Sequence, residues 1–434
     1  MGSGVMNNAV QLSRSAADLD QVGYAGSYGG LDHWFQGLAF QRNKPGNRTI
    51  LKGYFDGARN DLQYAGIGGN VKRLPHAAHR QAGFLAEHHM ELNNGHSLQL
   101  FGTHVFARRE IPPTRFQSAS EAVQDDQAGR YGTVYQHKNE NRILSARAIW
   151  MTDRVDYRDP RIGLASRNRA QTVQAIGQYF KKWDLYSHSL LQVEWTFQQG
   201  NSNTYENRPQ RNQAAAVLAF KRLFPGLKSA LSVASRLQWN EFGGFSILPF
   251  GEIRTSVTDH FQCFFQVQRT FRIPALDDLF WIPGGNPDLE DESGWHQELG
   301  VSLHARSGGW DHRLNASGFH RAVRNWILWI PVISQTWSPR NIAQVSSRGL
   351  ETTYTGQYQQ GDVRISALLI YTFQKVTESS DDPLLAGREG NTLIYMPDHQ
   401  FKINAWFNYR DFGIGLHHRL TSQVFSDPAN EQTI

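Results

Sequence analysis

The chain has a single cysteine, Cys263, so neither an internal disulfide nor a cysteine-built zinc cluster can hold it together. It also lacks any run of the ~18 to 20 apolar residues that a transmembrane helix requires, which excludes a helical membrane protein. No block of Lys or Arg stands out from a net charge of +5, so the basic groove of a nucleic-acid-binding protein is absent too. The opening residues, MGSGVMNNAVQL, contain no charged stretch followed by an apolar core, and no signal peptide is visible. Catalytic signatures are missing: there is no Gly-x-Ser-x-Gly elbow, no His-Glu-x-x-His and no glycine-rich phosphate loop, so the sequence does not read as an enzyme. His88–His89 and His417–His418 do not make metal sites, because adjacent strand residues point to opposite faces and each pair offers one ligand at most.

What the chain has is aromatic residues and alternation. It contains 12 Trp, 15 Tyr and 25 Phe, an apolar content unlike the Leu, Ile and Val runs of a soluble α/β enzyme. Leu191, Val193, Trp195 and Phe197 alternate with Gln192, Glu194 and Thr196. The same period of two recurs at Leu231, Val233 and Leu237, at Phe261, Cys263, Phe265 and Val267, and at Val363, Ile365, Ala367, Leu369, Tyr371 and Phe373. Such strands have one apolar and one polar face, and helical periodicity is nearly absent. At about 10 to 13 residues they exceed the ~5 to 6 usual in globular sheets and match a tilted membrane strand. Tyr179, Phe180, Trp183, Trp195, Phe197, Trp239 and Trp406 suit an aromatic girdle at a membrane interface.

Connections alternate as well. Short turns are expected at Asn43–Asn47, Asn93–Gly95, Lys138–Asn141, Lys182–Asp184, Pro225–Gly226, Thr258–His260, Ser307–Gly309, Gln360–Asp362 and Asp411–Gly413. Most of the others are expected to be long: Ala58–Ala78, Arg108–Arg130, Arg154–Arg169, Gln199–Gln210, Ile273–Gly294, Leu328–Ser346 and Thr377–Pro397. The result is an all-β fold, an antiparallel transmembrane β-barrel with about 19 strands, short periplasmic turns and long extracellular loops. A propeller would show a repeated blade motif, and none is present.

The stretch Arg269 to Trp295 is the most distinctive. Pro274, Pro283, Gly284, Gly285 and Pro287 forbid regular structure in it, and an acidic run follows from Asp288 to Glu292. Its sequence FRIPALDDLFWIPGGNPDLEDES resembles a segment of the TonB-dependent receptors of the bacterial outer membrane. The matching positions are Arg272, Pro274, Asp278, Leu279, Phe280, Gly285, Asn286, Pro287, Leu289, Glu292 and Ser293, with Glu298 and Gly300 beyond. NIAQVSSRGLE resembles the family's return strand through Asn341, Gly349, Leu350 and Glu351, and MGSGVMNNAVQL is similar to the end of its plug domain. Within the family, LFWIPGGNPDL and RNWILWIPVISQTWSPRNIAQVSSRGLE look like the cobalamin (vitamin B12) receptors of Bacteroidetes-type bacteria.

The resemblance implies energy-coupled uptake of a large, scarce ligand, cobalamin or a related corrinoid. Iron-siderophore and haem receptors share the barrel and are the alternative, as is a non-transporting remnant of a split gene. It implies the TonB complex as partner through a plug domain absent from this chain, together with outer-membrane lipids, a small-molecule ligand and a surface lipoprotein. Residues 1–14 read as the end of a plug and 15–434 as an incomplete barrel, short of the family's about 22 strands, so a truncated chain in the outer membrane is expected.

Phe280, Trp281, Trp326, Trp329 and Trp337 are the candidates for ligand contact, since rigid aromatics suit a bulky, partly apolar ligand. Trp326 to Ile330 can equally continue their strand upward. Arg272, Pro274, Asp278, Gly285, Asn286, Pro287, Gly349 and Glu351 are expected to shape the loop. Asp288, Glu290 and Asp291 are calcium candidates by their hard oxygen ligands, although a solvated acidic loop is the simpler reading. No other cofactor is expected.

Overall fold

The structure, a computed structural model, describes residues 20–65, 70–114, 117, 119–331, 337–380, 390–427 and 429–433. The expected plug remnant, residues 1–14, lies outside them. Twenty-one strands and one short helix occur among the described residues. Two of the strands form a small separate hairpin, which leaves the nineteen long strands that the alternation predicts.

The chain divides into two compact units, 1–136 with 149–165, and 137–148 with 166–434. In the first, β1 (Gln21–Gly29), β2 (His33–Lys44), β3 (Asn47–Ala58), β6 (His79–Glu91) and β7 (His96–Glu110) form a continuous antiparallel meander. The long β3–β6 connection carries its own hairpin, β4 (Gln63–Ala65) with β5 (Val71–Arg73). Next come β8 (Val123–Lys138) and β9 (Arg142–Asp159). Both run past the expected strand ends, and the long loop expected at Arg154–Arg169 is instead a tight turn at Pro160–Ile162 closed by Gly163 at φ 64°. The charges that break the apolar pattern here are strand residues. Arg130 pairs with Asp153 at 2.7 Å, Arg158 with Asp125 at 3.2 Å, and Arg109 with Asp126.

In the second unit the meander continues through β10 (Leu164–Lys182), β11 (Ser187–Ser202), β12 (Gln210–Phe224), β13 (Ser229–Asn240), β14 (Gly244–Ser256) and β15 (Phe261–Arg272). It then runs through β16 (Glu292–Ser307), β17 (Trp310–Pro331), β18 (Trp337–Gln360), β19 (Val363–Ser379), β20 (His399–Tyr409) and β21 (Phe412–Thr421). From β10 onward each strand pairs antiparallel with its sequence neighbour. The long loop expected at Leu328–Ser346 is largely strand, since Trp326 to Pro331 pair with Ala343 to Trp337 above a register shift after Val323. Side chains there can be apolar on one face and wet on the other without leaving the ladder, so composition alone does not mark the strand end.

The apolar face of this meander is turned outward into exposure rather than packed. Val193, Leu218, Leu299, Ile253 and Leu350 all stand at 40% exposure or more. The opposite face is polar and cross-linked: Arg236 Nη2 donates to Glu194 Oε2 at 2.7 Å, and Gln192 also donates to Glu194. Buried apolar packing is concentrated instead where the β15–β16 connection meets β17, with Leu279, Leu289 and Ile327 clustered and Phe280 packed against them. A soluble protein buries the apolar faces of its strands, so this inversion demands an apolar surrounding medium.

Candidate functional site

The β15–β16 connection holds the only α-helix among the described residues, α1 (Leu276–Phe280). The sequence Ala-Leu-Asp-Asp permits it: the Asp278 carboxylate turns back and accepts the Ala275 N–H at 2.9 Å, satisfying a donor of the first turn. The sequence reading missed this helix because five residues give no periodicity to detect.

Asp278 is a hub. It is buried, accepts the indole N–H of Trp329 at 3.0 Å, and lies 3.6 Å from Arg272 Nη1. Arg272 also donates to Glu292, a buried carboxylate that in turn accepts the Ile327 N–H at 2.9 Å. Two buried carboxylates are thus served by one guanidinium, with indole and backbone donors completing them. Pro274 is held through its carbonyl, which accepts from Arg211 Nη1 at 2.6 Å while the rest of that guanidinium binds Gln198.

The rest of the loop is pinned to its neighbours. Asn286 donates to the Pro339 carbonyl at 3.1 Å and receives the Asp288 N–H on its side-chain oxygen. Asn341 accepts the Glu290 N–H at 2.7 Å and donates to the Glu290 and Asn325 carbonyls. Ile282 N–H reaches the Thr204 carbonyl at 2.8 Å, and Tyr205 donates its hydroxyl to Asp277; burial first, and then this bond, raise the Tyr205 phenol above its usual range. Gly284 has to be glycine: a Cβ there would sit 1.9 Å from the Trp337 carbonyl oxygen. At Gly285 it would meet the Trp281 backbone at 2.6 Å, and Pro287 is the exposed exit.

Among the aromatic candidates, two are brought together: Trp281 meets Trp329 edge-on with centroids 5.6 Å apart, while Phe280 meets Phe242 at 5.7 Å. Trp326 stands in the ladder opposite Ala343, half-buried. Trp337 begins β18 and is 53% exposed, the most open of the five. Gly349 and Glu351 are not part of this cluster. They lie in the body of β18 opposite Phe319 and Ser317, and the Phe319 ring covers Gly349 at 2.7 Å from where a Cβ would be.

The calcium candidates are drawn to amides rather than to one another. Glu290 accepts from Asn325 Nδ2 at 2.8 Å, Asp291 from Asn240 Nδ2 at 3.0 Å, and Asp288 is exposed. Among the described residues no group of three His, Cys, Asp or Glu side chains is disposed to hold a metal. Burial raises the Asp291 carboxyl above its usual range despite the Asn240 hydrogen bond and the nearby Arg211 charge. Arg211, Asn240 and Tyr205 were not singled out in the sequence, where they are ordinary polar residues at strand ends. Asn341 belongs to the return-strand motif, and its place there is the available signal.

The profile of the family described as TonB dependent receptor-like, beta-barrel matches residues 10–434. A vitamin B12 transporter, BtuB, of Vibrio vulnificus is 22% identical over 216 residues, 48% of this chain and 33% of that protein. BtuB of Photobacterium profundum is 26% identical over 87 residues, 19% of this chain and 14% of its own length. The matched stretch therefore spans a third or less of these relatives. Among solved structures, the Serratia marcescens hemophore receptor HasR, in complex with its hemophore HasA and heme, superposes with a TM-score of 0.76 at 13% identity, covering 93% of this chain and 73% of that one. The FrpB iron transporter of Neisseria meningitidis gives a TM-score of 0.75 at 12% identity, covering 94% and 70%. These likenesses are of fold.

Proposed function

Because the chain belongs to the TonB-dependent receptor-like β-barrel family, we propose that it supplies the wall and ligand-binding loops of an outer-membrane receptor that takes up cobalamin or a related corrinoid. The family consists of receptors rather than enzymes, and it implies the outer membrane as the location. The observation that carries the ligand-binding reading is the β15–β16 loop, fixed on the top of the β17–β18 hairpin by Asp278, Glu292, Asn286 and Asn341. With the loop held on that hairpin, Ile282 of the loop and Trp337 of β18 stand exposed in one geometry, so little ordering entropy opposes binding of a large rigid ligand. The two B12-transporter relatives support the corrinoid over a ferric siderophore or haem. Trp281, Trp329 and Phe280 then support the surface, and Trp337 is the contact. Uptake would draw on the TonB complex through a plug domain, with a surface lipoprotein as a further partner over the loops.

The test is binding to the purified chain in detergent micelles, with cyanocobalamin followed by its visible absorbance. Saturable binding of cyanocobalamin, lowered about tenfold by Trp337→Ala, supports the proposal. Saturable binding of a ferric siderophore or haem instead, with none of cyanocobalamin, overturns the ligand.

A further inference from the structure

One face of the β15–β19 wall carries a charge asymmetry that the ligand-binding loops do not use. The register places Phe265, Leu299, Gly318, Leu350 and Phe373 side by side across the five strands. Gly318 makes a notch in that row. A Cβ there would meet nothing closer than the Gly349 carbonyl oxygen at 3.8 Å, and the groove between Leu299 and Leu350 is shallow and open, with a volume of about 500 Å³. The next row toward the loops is Val267, Gln297, His320, Arg348 and Lys375. His399 adds an imidazole beside Phe373, 5.1 Å from its ring, and Arg269 and Arg324 lie beyond on the same face. Along the full described length of β15–β19, the register puts no Asp or Glu on this face. The acids Glu298 and Glu351 both fall on the other.

The depth is that of a membrane leaflet boundary. At the turn end of the face, Trp310 stacks on His312 and lies 5.2 Å from Tyr358, a girdle of aromatic rings. From Trp310 to His320 is about 34 Å of extended strand, or about 24 Å of depth at a tilt of ~45°, close to the height of the apolar band of an outer-membrane barrel. The cations therefore stand where headgroups begin, and the groove below them stands among acyl chains. On β11, β13 and β14 the same face carries Trp195, Trp239 and Phe245 near its loop end, so the cationic margin is local to the groove.

We propose that this groove is a binding site for a phosphorylated, multiply acylated membrane lipid. An acyl chain lies in the Gly318 notch, and the phosphate is held by Arg348 and Lys375 with His320 beside them. A guanidinium gives a phosphate two parallel hydrogen bonds, and at a headgroup boundary that pairing is less screened than in bulk water.

The experiment measures lipid retained by the purified chain in detergent micelles, by native mass spectrometry. The probes are bisphosphorylated lipid A and the same lipid with its phosphates removed. The expected result is that the phosphorylated lipid binds at least tenfold tighter and that millimolar inorganic phosphate does not displace it. The double substitution R348E/K375E is expected to abolish the preference. Gly318→Phe, which fills the notch without a backbone clash, is expected to weaken both lipids about tenfold. Folding of each variant is checked by its heat-dependent shift on gel electrophoresis. Equal binding of the two lipids overturns the proposal, as does displacement by free phosphate or an unchanged preference in the folded R348E/K375E chain. Comparison of the two lipids needs no variant, so the proposal can fail even if both substitutions prevent folding.

Discussion

The Trp329 indole donates its N–H to the Asp278 carboxylate at 3.0 Å, joining residues 51 positions apart and locking the top of the β17–β18 hairpin to helix α1. Because Asp278 is buried, the bond matters more for what its loss exposes than for what it contributes. Trp329→Phe keeps the ring against Trp281 and removes only the donor. The expected outcome is a local loss of about 1–3 kcal/mol. It should be read as faster amide exchange over residues 273–291 with the β10–β14 amides unchanged.

Arg272 serves both Asp278 and Glu292, so Arg272→Met leaves two buried carboxylates without a cation. A fully buried pair broken this way costs about 3–5 kcal/mol, but Arg272 is itself about half exposed and solvent screens part of the effect. About 1–3 kcal/mol is expected, with limited proteolysis cutting within Asp277–Glu290 in the variant and not in the native chain.

Burial holds the Asp291 carboxyl above its ordinary value of 3.8, and this gives the loop a pH dependence. A carboxyl raised in the folded state binds its proton more tightly there than in the unfolded chain. Stability is then greatest below the unfolded value and falls as pH rises through the folded one. Asp291→Asn removes the ionised form and can still accept from Asn240. The variant should protect the loop amides better than the native chain at pH 7, with the difference vanishing below about pH 3.8.

Gly284→Ala is the sharpest steric test, because its Cβ would fall 1.9 Å from the Trp337 carbonyl oxygen, and backbone cannot yield cheaply. The strands should fold unchanged by circular dichroism, while cyanocobalamin binding falls by about tenfold or more as Trp337 is displaced.

Much of the wall is legible in the sequence, since a period of two repeated over strands such as Leu191–Phe197 has one structural solution. The turns at Asn43–Asn47 and Ser307–Gly309 fall where their Gly and Asn residues put them. Strand ends are less legible. Asp125, Asp126 and Arg158 read as loop because charge interrupts the apolar pattern, yet each finds an opposite charge across the ladder. Least legible are the loop contacts. Arg211 holds Pro274 from 63 positions away and Asn240 holds Asp291 from 51, distances over which sequence carries no periodic signal. The aromatic residues show the same limit: composition finds Trp281, Trp329 and Trp337, but only their neighbours distinguish the two that pack from the one that is open.

The neighbour-to-neighbour meander has a consequence for how such a wall is assembled. Each ladder from β10 to β21 closes through one hairpin, so the entropy of closing each is small and no pairing waits on a distant one. Strands can be added one at a time, and a cut at an exposed turn such as Ser307–Gly309 leaves a self-consistent run of hairpins on either side. Two polypeptides divided at that turn should therefore recombine through the β16–β17 ladder and the loop contacts of Asp278, Glu292, Asn286 and Asn341, making this wall suited to being supplied in pieces.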